Sequence, residues 1–234
     1  FQDGDLVAIT NKYHGTNARF GLVRKSKLSI LDKIKKHLCK YTMIPSLFKN
    51  DWKWIEYTFV YGSHNVEKGS DEMGFYSSDV WKEIADKYEI KDKLWKLVKE
   101  YFTPINDHNS IGSGIILYGE IYGPGIQGEK YTYGEKELKV KFFDISVKGE
   151  YISHFGFQGL MEEDLKLPTV EELYIGKWSK EIQDSFVERN IPGTNIPEEG
   201  IVVKCISGDR KKVSKVINAN YLIFGEKNNI PDSH

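Results

Sequence analysis

The chain has 234 residues, 40% apolar and 13% aromatic, enough for one large packed domain or two small ones and unlike a disordered segment. Its 33 basic and 34 acidic side chains nearly cancel. That balance excludes the global cationic field of nonspecific nucleic-acid binding, so any such surface must be local. No apolar run approaches the ~20 residues of a membrane-spanning helix. The opening Phe1-Gln-Asp-Gly-Asp5 lacks the basic and apolar regions of a signal peptide, so a cytoplasmic location is expected. Cys39 and Cys205 lie far apart and outside any CxxC pair, which favours thiols in a reducing compartment over a disulfide or zinc site. The absence of an initiator Met so close to the first motif predicts an N-terminally trimmed chain.

Residues 5–24 read as two short strands around a polar turn at 13–17. The stretch 27–49 is basic and partly helical, with a solvated face. Ile55 to Tyr61 alternates as a strand that ends at Gly62-Ser-His-Asn65. Between 78 and 102, Val80, Trp81, Ile84, Ala85 and Tyr88 recur at helical spacing. After a break, Leu94, Trp95, Leu97, Val98, Tyr101 and Phe102 do the same. Strands are expected at Gly114–Tyr122, Leu138–Val147 and 150–154. Short helices are expected at 169–174, after Pro168 with Thr169 as cap, and at 179–190. Gly200 to Ile206 and Lys212 to Phe224 read as closing strands, and 225–234 as a polar, frayed tail. Helices set among antiparallel strands, with no regular βαβ alternation, argue an α+β fold. Packed antiparallel sheets flanked by helices would leave a cleft between them, within one domain over residues 1–224.

Ile9 to Ala18 carries the chemistry. It places Lys12 at the end of the apolar run Leu6-Val-Ala-Ile9, directly before His14-Gly15-Thr16-Asn17. A lysine is inert while solvated and protonated, so an amine nucleophile needs desolvation or neighbouring cations. By itself the segment also fits a surface hairpin, because Gly and Asn are ordinary turn formers. Four further strands carry a charge among apolar neighbours: Glu120, Asp144, Glu199 with Lys204, and Lys215. Such charges cost several kcal/mol unless paired, ligated or used. A capped turn for Asp144 or an edge strand for Lys215 would also account for each singly. Together they supply lysines and carboxylates at strand ends, as a metal-assisted phosphate site needs. Neither a P-loop nor a Rossmann glycine pattern is present.

In this order the segments resemble the covalent nucleotidyltransferase superfamily of polynucleotide ligases and mRNA capping enzymes. They are Lys12-Tyr-His-Gly15 (motif I), Tyr118-Gly-Glu120 (III), Phe143-Asp144 (IIIa), Glu199-Gly-Ile-Val-Val-Lys204 (IV) and Lys215-Val-Ile217 (V). His14, where DNA ligases generally carry Asp, and Gly119-Glu-Ile-Tyr-Gly-Pro-Gly-Ile-Gln127 are similar to ATP-dependent RNA ligases. The resemblance implies that Lys12 attacks the α-phosphate of ATP and carries AMP as a lysyl phosphoramidate. AMP then passes to a 5′-phosphate RNA end, in a nicked duplex or elsewhere, and a 3′-hydroxyl displaces it. By the same resemblance Lys215 contacts the α-phosphate and depresses the pKa of Lys12, and Lys204 adds to that field. Glu120 and Glu199 hold a hydrated Mg²⁺ or Mn²⁺, or Glu120 bonds the ribose. Phe143 stacks on adenine with Val202 on its other face, backbone groups of Asn11 and Lys12 read the base edge, and Tyr13 and His14 belong to the nucleotide turn. Asn17 and Arg19 contact phosphate or ribose. Such ligases usually carry an accessory nucleic-acid-binding domain, which this chain is expected to lack; a monomer is expected.

Three positions depart from the family pattern. Asn11 stands where Glu is common; as an amide it can still accept from an adenine amino group, without charge. His64 stands where motif Ia has Arg, and it is only partly charged near neutral pH. Val216-Ile217 follow Lys215 where Lys-x-Lys is common, so either Lys204 or Lys211-Lys212 supplies the second cation or the site works with one. Two other readings stay open: a DNA ligase or GTP-dependent capping-type enzyme, and a catalytically silent nucleic-acid-binding module.

Overall fold

The computed structural model describes residues 1–25, 29–31, 33–34, 56–63, 67–68, 79–102, 111–127, 131–206, 213–228 and 230. Two antiparallel sheets form its frame. The first, in the order β10-β9-β1-β8, is built from β1 (Leu6–Lys12), β8 (Glu172–Lys177), β9 (Gly200–Cys205) and β10 (Val213–Ile217). The second has the order β4-β3-β2-β5-β6-β7. Its strands are β2 (Thr16–Arg24), β3 (Tyr57–Gly62), β4 (Glu67–Lys68), β5 (Gly114–Tyr122), β6 (Lys139–Val147) and β7 (Glu150–Tyr151). This is the expected α+β arrangement.

The hairpin reading of residues 5–24 does not hold. β1 pairs with β8 and β9, whereas β2 pairs with β3 and β5, so Tyr13-His14-Gly15 is the crossing between the two sheets. Gly15 is required there, because a Cβ on it would collide with the carbonyl oxygen of Ile121 at the end of β5. The turn therefore rests directly against the strand that carries Glu120.

Helices α1 (Val80–Lys87) and α2 (Ile90–Tyr101) cover the larger sheet, as the spacing of their apolar residues predicts. Asp79 caps α1 by accepting from the backbone N–H of Lys82 (3.1 Å), and Glu89, in a left-handed conformation at φ 53°, makes the break before α2. Ile84, Ile90, Leu94 and Val98 pack with Phe20, Leu22, Ile115, Leu117 and Phe142 into the main core, all fully buried. Val7, Ile9, Ile201 and Val203 make a smaller core under the first sheet.

Several expectations fail locally. Residues 169–174 are not a helix: β8 begins at Glu172 and pairs antiparallel with β1. Aromatic Tyr174 and β-branched Ile175 favour that pairing once β1 offers an edge. Residues after Tyr151 turn into α3 (His154–Gly159), capped by Ser153, and a π-helical turn, Leu160–Leu165. The expected 212–224 strand stops at Ile217, and α5 (Ala219–Asn228) follows, so residues 225–228 of the expected frayed tail are helical, while α4 (Lys180–Ser185) is shorter than the expected 179–190 helix. Among the described residues, no helix is long and apolar enough to cross a membrane.

Candidate active site

A cleft opens between the two sheets. Thr10, Asn11, Lys12 and Tyr13 line it from β1 and the crossing turn, Val202 and Lys204 from β9, and Val213 and Lys215 from β10. The second sheet contributes Asn17, Glu120, Phe143 and Asp144. Residues distant in sequence converge because β1 pairs with β9, setting Lys12 opposite Gly200, and β2 pairs with β5, setting Asn17 opposite Glu120.

Lys12 and Glu199 form the centre. The Lys12 ammonium, whose side chain is 13% exposed, is ion-paired with Glu199 Oε1, and the Glu199 side chain is fully buried. Gly200, next to Glu199, permits the close approach of β10. Its φ of 146° suits glycine, and a Cβ there would collide with the Val216 carbonyl oxygen. Lys215, exposed at the rim on β10, has its charge within reach of Glu120. Burial pushes the Glu120 carboxyl up to about 8; Lys12 pulls it down, Glu199 pushes it up, and Lys215 pulls it down.

Phe143 owes its place to a β-bulge. Tyr118 faces Asp144 and Gly119 faces Phe142, so Phe143 is the extra residue on β6. The bulge lets Phe143 and Asp144 both line the cleft while Phe142 and Ile145 stay in the core, re-aiming an aromatic where strict alternation would not. Lys204 secures it. Its ammonium donates to the Phe143 carbonyl (2.8 Å), lies 3.8 Å from Asp144 Oδ2 and sits over the Phe157 ring at 5.3 Å. Lys204 lies four residues along β9 from the Gly200 that faces Lys12, roughly 13 Å at the usual strand rise. It thus stands at the Phe143 end of the cleft.

Among the expected site residues, His14, Arg19 and Glu199 lie outside the lining. His14 is buried beneath the turn at 1% exposure. Its Nδ1 is hydrogen-bonded to the Tyr221 hydroxyl on α5 (2.7 Å), and its backbone N–H donates to the Tyr133 hydroxyl (2.6 Å). Arg19 stacks over the Tyr118 ring at 5.4 Å. His64 and Lys211-Lys212 fall outside the described residues, as does Cys39.

Sequence reasoning missed the aromatic bed under the crossing turn. The Tyr131 ring lies edge-on to His14 at 5.2 Å, and its hydroxyl donates to the Pro197 carbonyl, tying the turn to the segment before Glu199. Tyr13 packs on Tyr122 and Tyr133, and its own hydroxyl is pushed up to about 12, chiefly by burial. No local pattern marks these tyrosines, since each reaches the turn only through tertiary packing. Tyr221→Phe removes a partner from a buried imidazole and is expected to cost about 1–3 kcal/mol. That is a fall of several degrees in Tm for a chain this size, measurable by thermal melting; an unchanged melt would place the hydroxyl outside the stabilising network.

Among the described residues no group of three or more His, Cys, Asp or Glu side chains could cage a metal ion. The donor set fits instead a cation carried by few carboxylates, several waters and substrate phosphates, with Glu120 in the cleft lining and Glu199 buried behind Lys12.

Two antiparallel sheets around such a cleft, with a lysine at a strand end, define a ligase-type nucleotidyltransferase domain. The model of the RNA ligase family matches residues 5–217, and the chain belongs to that family of enzymes. Among solved structures, a lysine-to-alanine variant of Naegleria gruberi RNA ligase with ATP and Mn aligns at TM-score 0.64 and 17% identity, covering 96% of this chain and 53% of that one. A lysine-to-methionine variant of that enzyme with AMP and Mn, and the enzyme with PPi, align with the same values. This chain therefore spans about half the length of the solved chains it matches. No curated protein sequence matches it.

Proposed function

We propose that residues 1–224 form the adenylyltransferase domain of an ATP-dependent RNA ligase, with Lys12 as the nucleophile. The observation that carries this reading is the Lys12–Glu199 ion pair inside a cleft that also holds Glu120, Lys215 and the re-aimed Phe143. The neutral Lys12 amine attacks the α-phosphorus of ATP; a P–N bond forms and the P–O bond to pyrophosphate breaks. Glu199, in contact with Nζ, accepts the proton the amine must shed. Phe143 and Val202 hold the base, Asn11 and Tyr13 border it, and Lys215 meets the phosphates from the rim. Asn17, opposite Glu120, is placed for ribose or phosphate. A 5′-phosphate oxygen of RNA then takes AMP from Lys12, breaking the P–N bond. A 3′-hydroxyl attacks the activated phosphorus, joining the strands and releasing AMP. A bound Mg²⁺ or Mn²⁺, held by Glu120 and Glu199, would supply charge neutralisation at the phosphates.

Within this reading, Lys204 acts at the base end rather than on the phosphates, His14 supports the turn from below, and Arg19 remains a candidate phosphate contact. The enzyme is proposed to work as a cytoplasmic monomer, with a further domain gripping the RNA.

The deciding experiment incubates the protein with ATP labelled at the α-phosphate and a divalent cation. An acid-labile adduct on wild type, absent in Lys12→Ala, is the expected result. Label that survives Lys12→Ala, or no label at all, would sink the proposal. Offering GTP, nicked DNA and nicked RNA in parallel separates it from the capping and DNA-ligase readings. RNA binding without any adduct would favour a silent module.

A further inference from the structure

We infer that Arg19 holds a backbone phosphate of the RNA strand beside the nucleotide cleft. The inference rests on the RNA-ligase reading, because it concerns how the second substrate of that reaction is gripped.

Arg19 shares a face of β2 with Asn17, since strand residues two apart point the same way. Asn17 lines the cleft; Arg19, roughly 7 Å further along the strand, does not. The Arg19 guanidinium lies over the Tyr118 ring of β5, the strand paired with β2. Tyr118 is fixed in turn. Its hydroxyl is hydrogen-bonded to Ser146 (3.1 Å), and its ring packs on Tyr151 of β7 at 5.2 Å. Arg19, Tyr118 and Tyr151, each half-buried, thus form one ledge drawn from three strands.

The other arginines among the described residues face carboxylates: Arg24 reaches Glu56 at 3.1 Å, and Arg189 reaches Glu171 and Glu198. Among the described residues Arg19 meets no carboxylate and donates no hydrogen bond, and its Nε is buried without a partner. The burial stops there, because the two Nη groups reach solvent. Stacking on Tyr118 fixes the plane of the guanidinium and leaves its outer edge free. That edge carries paired N–H donors that match two oxygens of one phosphate. A half-buried donor group without a partner in the protein fits an acceptor supplied from outside. The lining of the nucleotide cleft runs from Lys12, Glu120 and Lys215 to Phe143 and leaves Arg19 out. The anion that Arg19 fits is therefore the other substrate's. RNA brings one phosphate per nucleotide, and a phosphate held here positions the strand beside Lys12 without reading its sequence.

The test measures binding of a 5′-phosphorylated single-stranded RNA oligonucleotide by fluorescence anisotropy over a range of salt, with ATP binding by calorimetry beside it. Arg19→Gln is expected to weaken RNA binding about tenfold and to reduce the salt slope by about 1. Arg19→Lys keeps the charge but loses the fork, and is expected to fall roughly threefold with the slope retained. A folded Arg19→Gln protein with wild-type RNA affinity and slope overturns the inference. So does a loss of ATP affinity as large as the loss of RNA affinity, which would put Arg19 on the nucleotide. Should Arg19→Gln lose its cooperative melt, Arg19→Lys decides alone, and RNA binding at wild-type strength is then the overturning result. Wild type that binds no RNA overturns it as well.

The outcomes also separate the RNA contact from the transfer reaction. Arg19-dependent RNA binding by a protein that forms no lysyl adduct overturns the transfer reading and leaves the RNA contact standing. Adduct formation together with Arg19-independent RNA binding does the reverse.

Discussion

Glu199→Gln is expected to slow lysyl–AMP formation by about 10²–10³-fold. Glu199 is fully buried and its carboxylate touches the Lys12 ammonium. Glutamine keeps the shape and one acceptor, but it can neither take the proton that the amine must lose nor balance the ammonium's charge. The substitution also leaves the Lys12 ammonium without its counter-charge, which is expected to cost about 3 kcal/mol of stability, so the melt is read beside the rate. Single-turnover adduct formation with limiting protein is the measurement, with a thermal melt beside it. A rate within about threefold of wild type would remove Glu199 from the proton path.

Glu120→Gln is expected to make the protein more stable than wild type in alkali and no different in acid. The Glu120 carboxyl is raised to about 8, first by burial, from an ordinary value near 4.5. A raised carboxyl binds its proton more tightly folded than unfolded. Its relative contribution is complete below pH 4.5 and is lost as pH climbs through 8, at up to about 1.4 kcal/mol per pH unit. Glutamine does not titrate and escapes that loss. The gap between the two proteins should open between pH 4.5 and 8 and then level off at a few kcal/mol, or on the order of 5–10 °C in Tm. Melting curves from about pH 4 to 9 check this, and parallel profiles would contradict it. The same variant should lose activity, since the ionised carboxylate is what a cation or ribose would engage. Glu120 thus costs stability at the place where it is proposed to work.

The pairing of charges explains why the site could be read from the chain at all. Glu199, Asp144 and Lys204 stand in apolar strands, where an isolated charge would be prohibitive, and each has a charged partner: Lys12 for Glu199, and Lys204 and Asp144 for one another. Helices α1 and α2 were equally legible, since their apolar faces repeat at about 3.6 residues over a long stretch. Leu173 to Ile175 were not: a short apolar run fits either helix or strand, and the free edge of β1 decided it. The β10 strand was overextended for the same reason, because nothing local separates Val216 from the apolar residues of α5.

The role of Lys204 shows the limit most clearly. Its charge on a buried strand marked it as functional, but only the bulge at Phe143 and the carbonyl it exposes reveal which end of the cleft it serves. Likewise Asn11 was visible as an anomaly, while Glu198, 187 residues away, became its partner only through the β1–β9 pairing.

The order of residues along the chain was enough to mark the chemistry and the candidate nucleophile, because buried charge and glycine at fixed spacing leave few alternatives. Folding in three dimensions settled the rest. It turned an apparent hairpin into the crossing between two sheets, put His14 beneath the turn on Tyr221, and gave Asn11 the partner that orients it. Those outcomes depend on contacts between segments far apart in the chain, and hydrogen-bond geometry across such contacts leaves no periodic trace in the sequence.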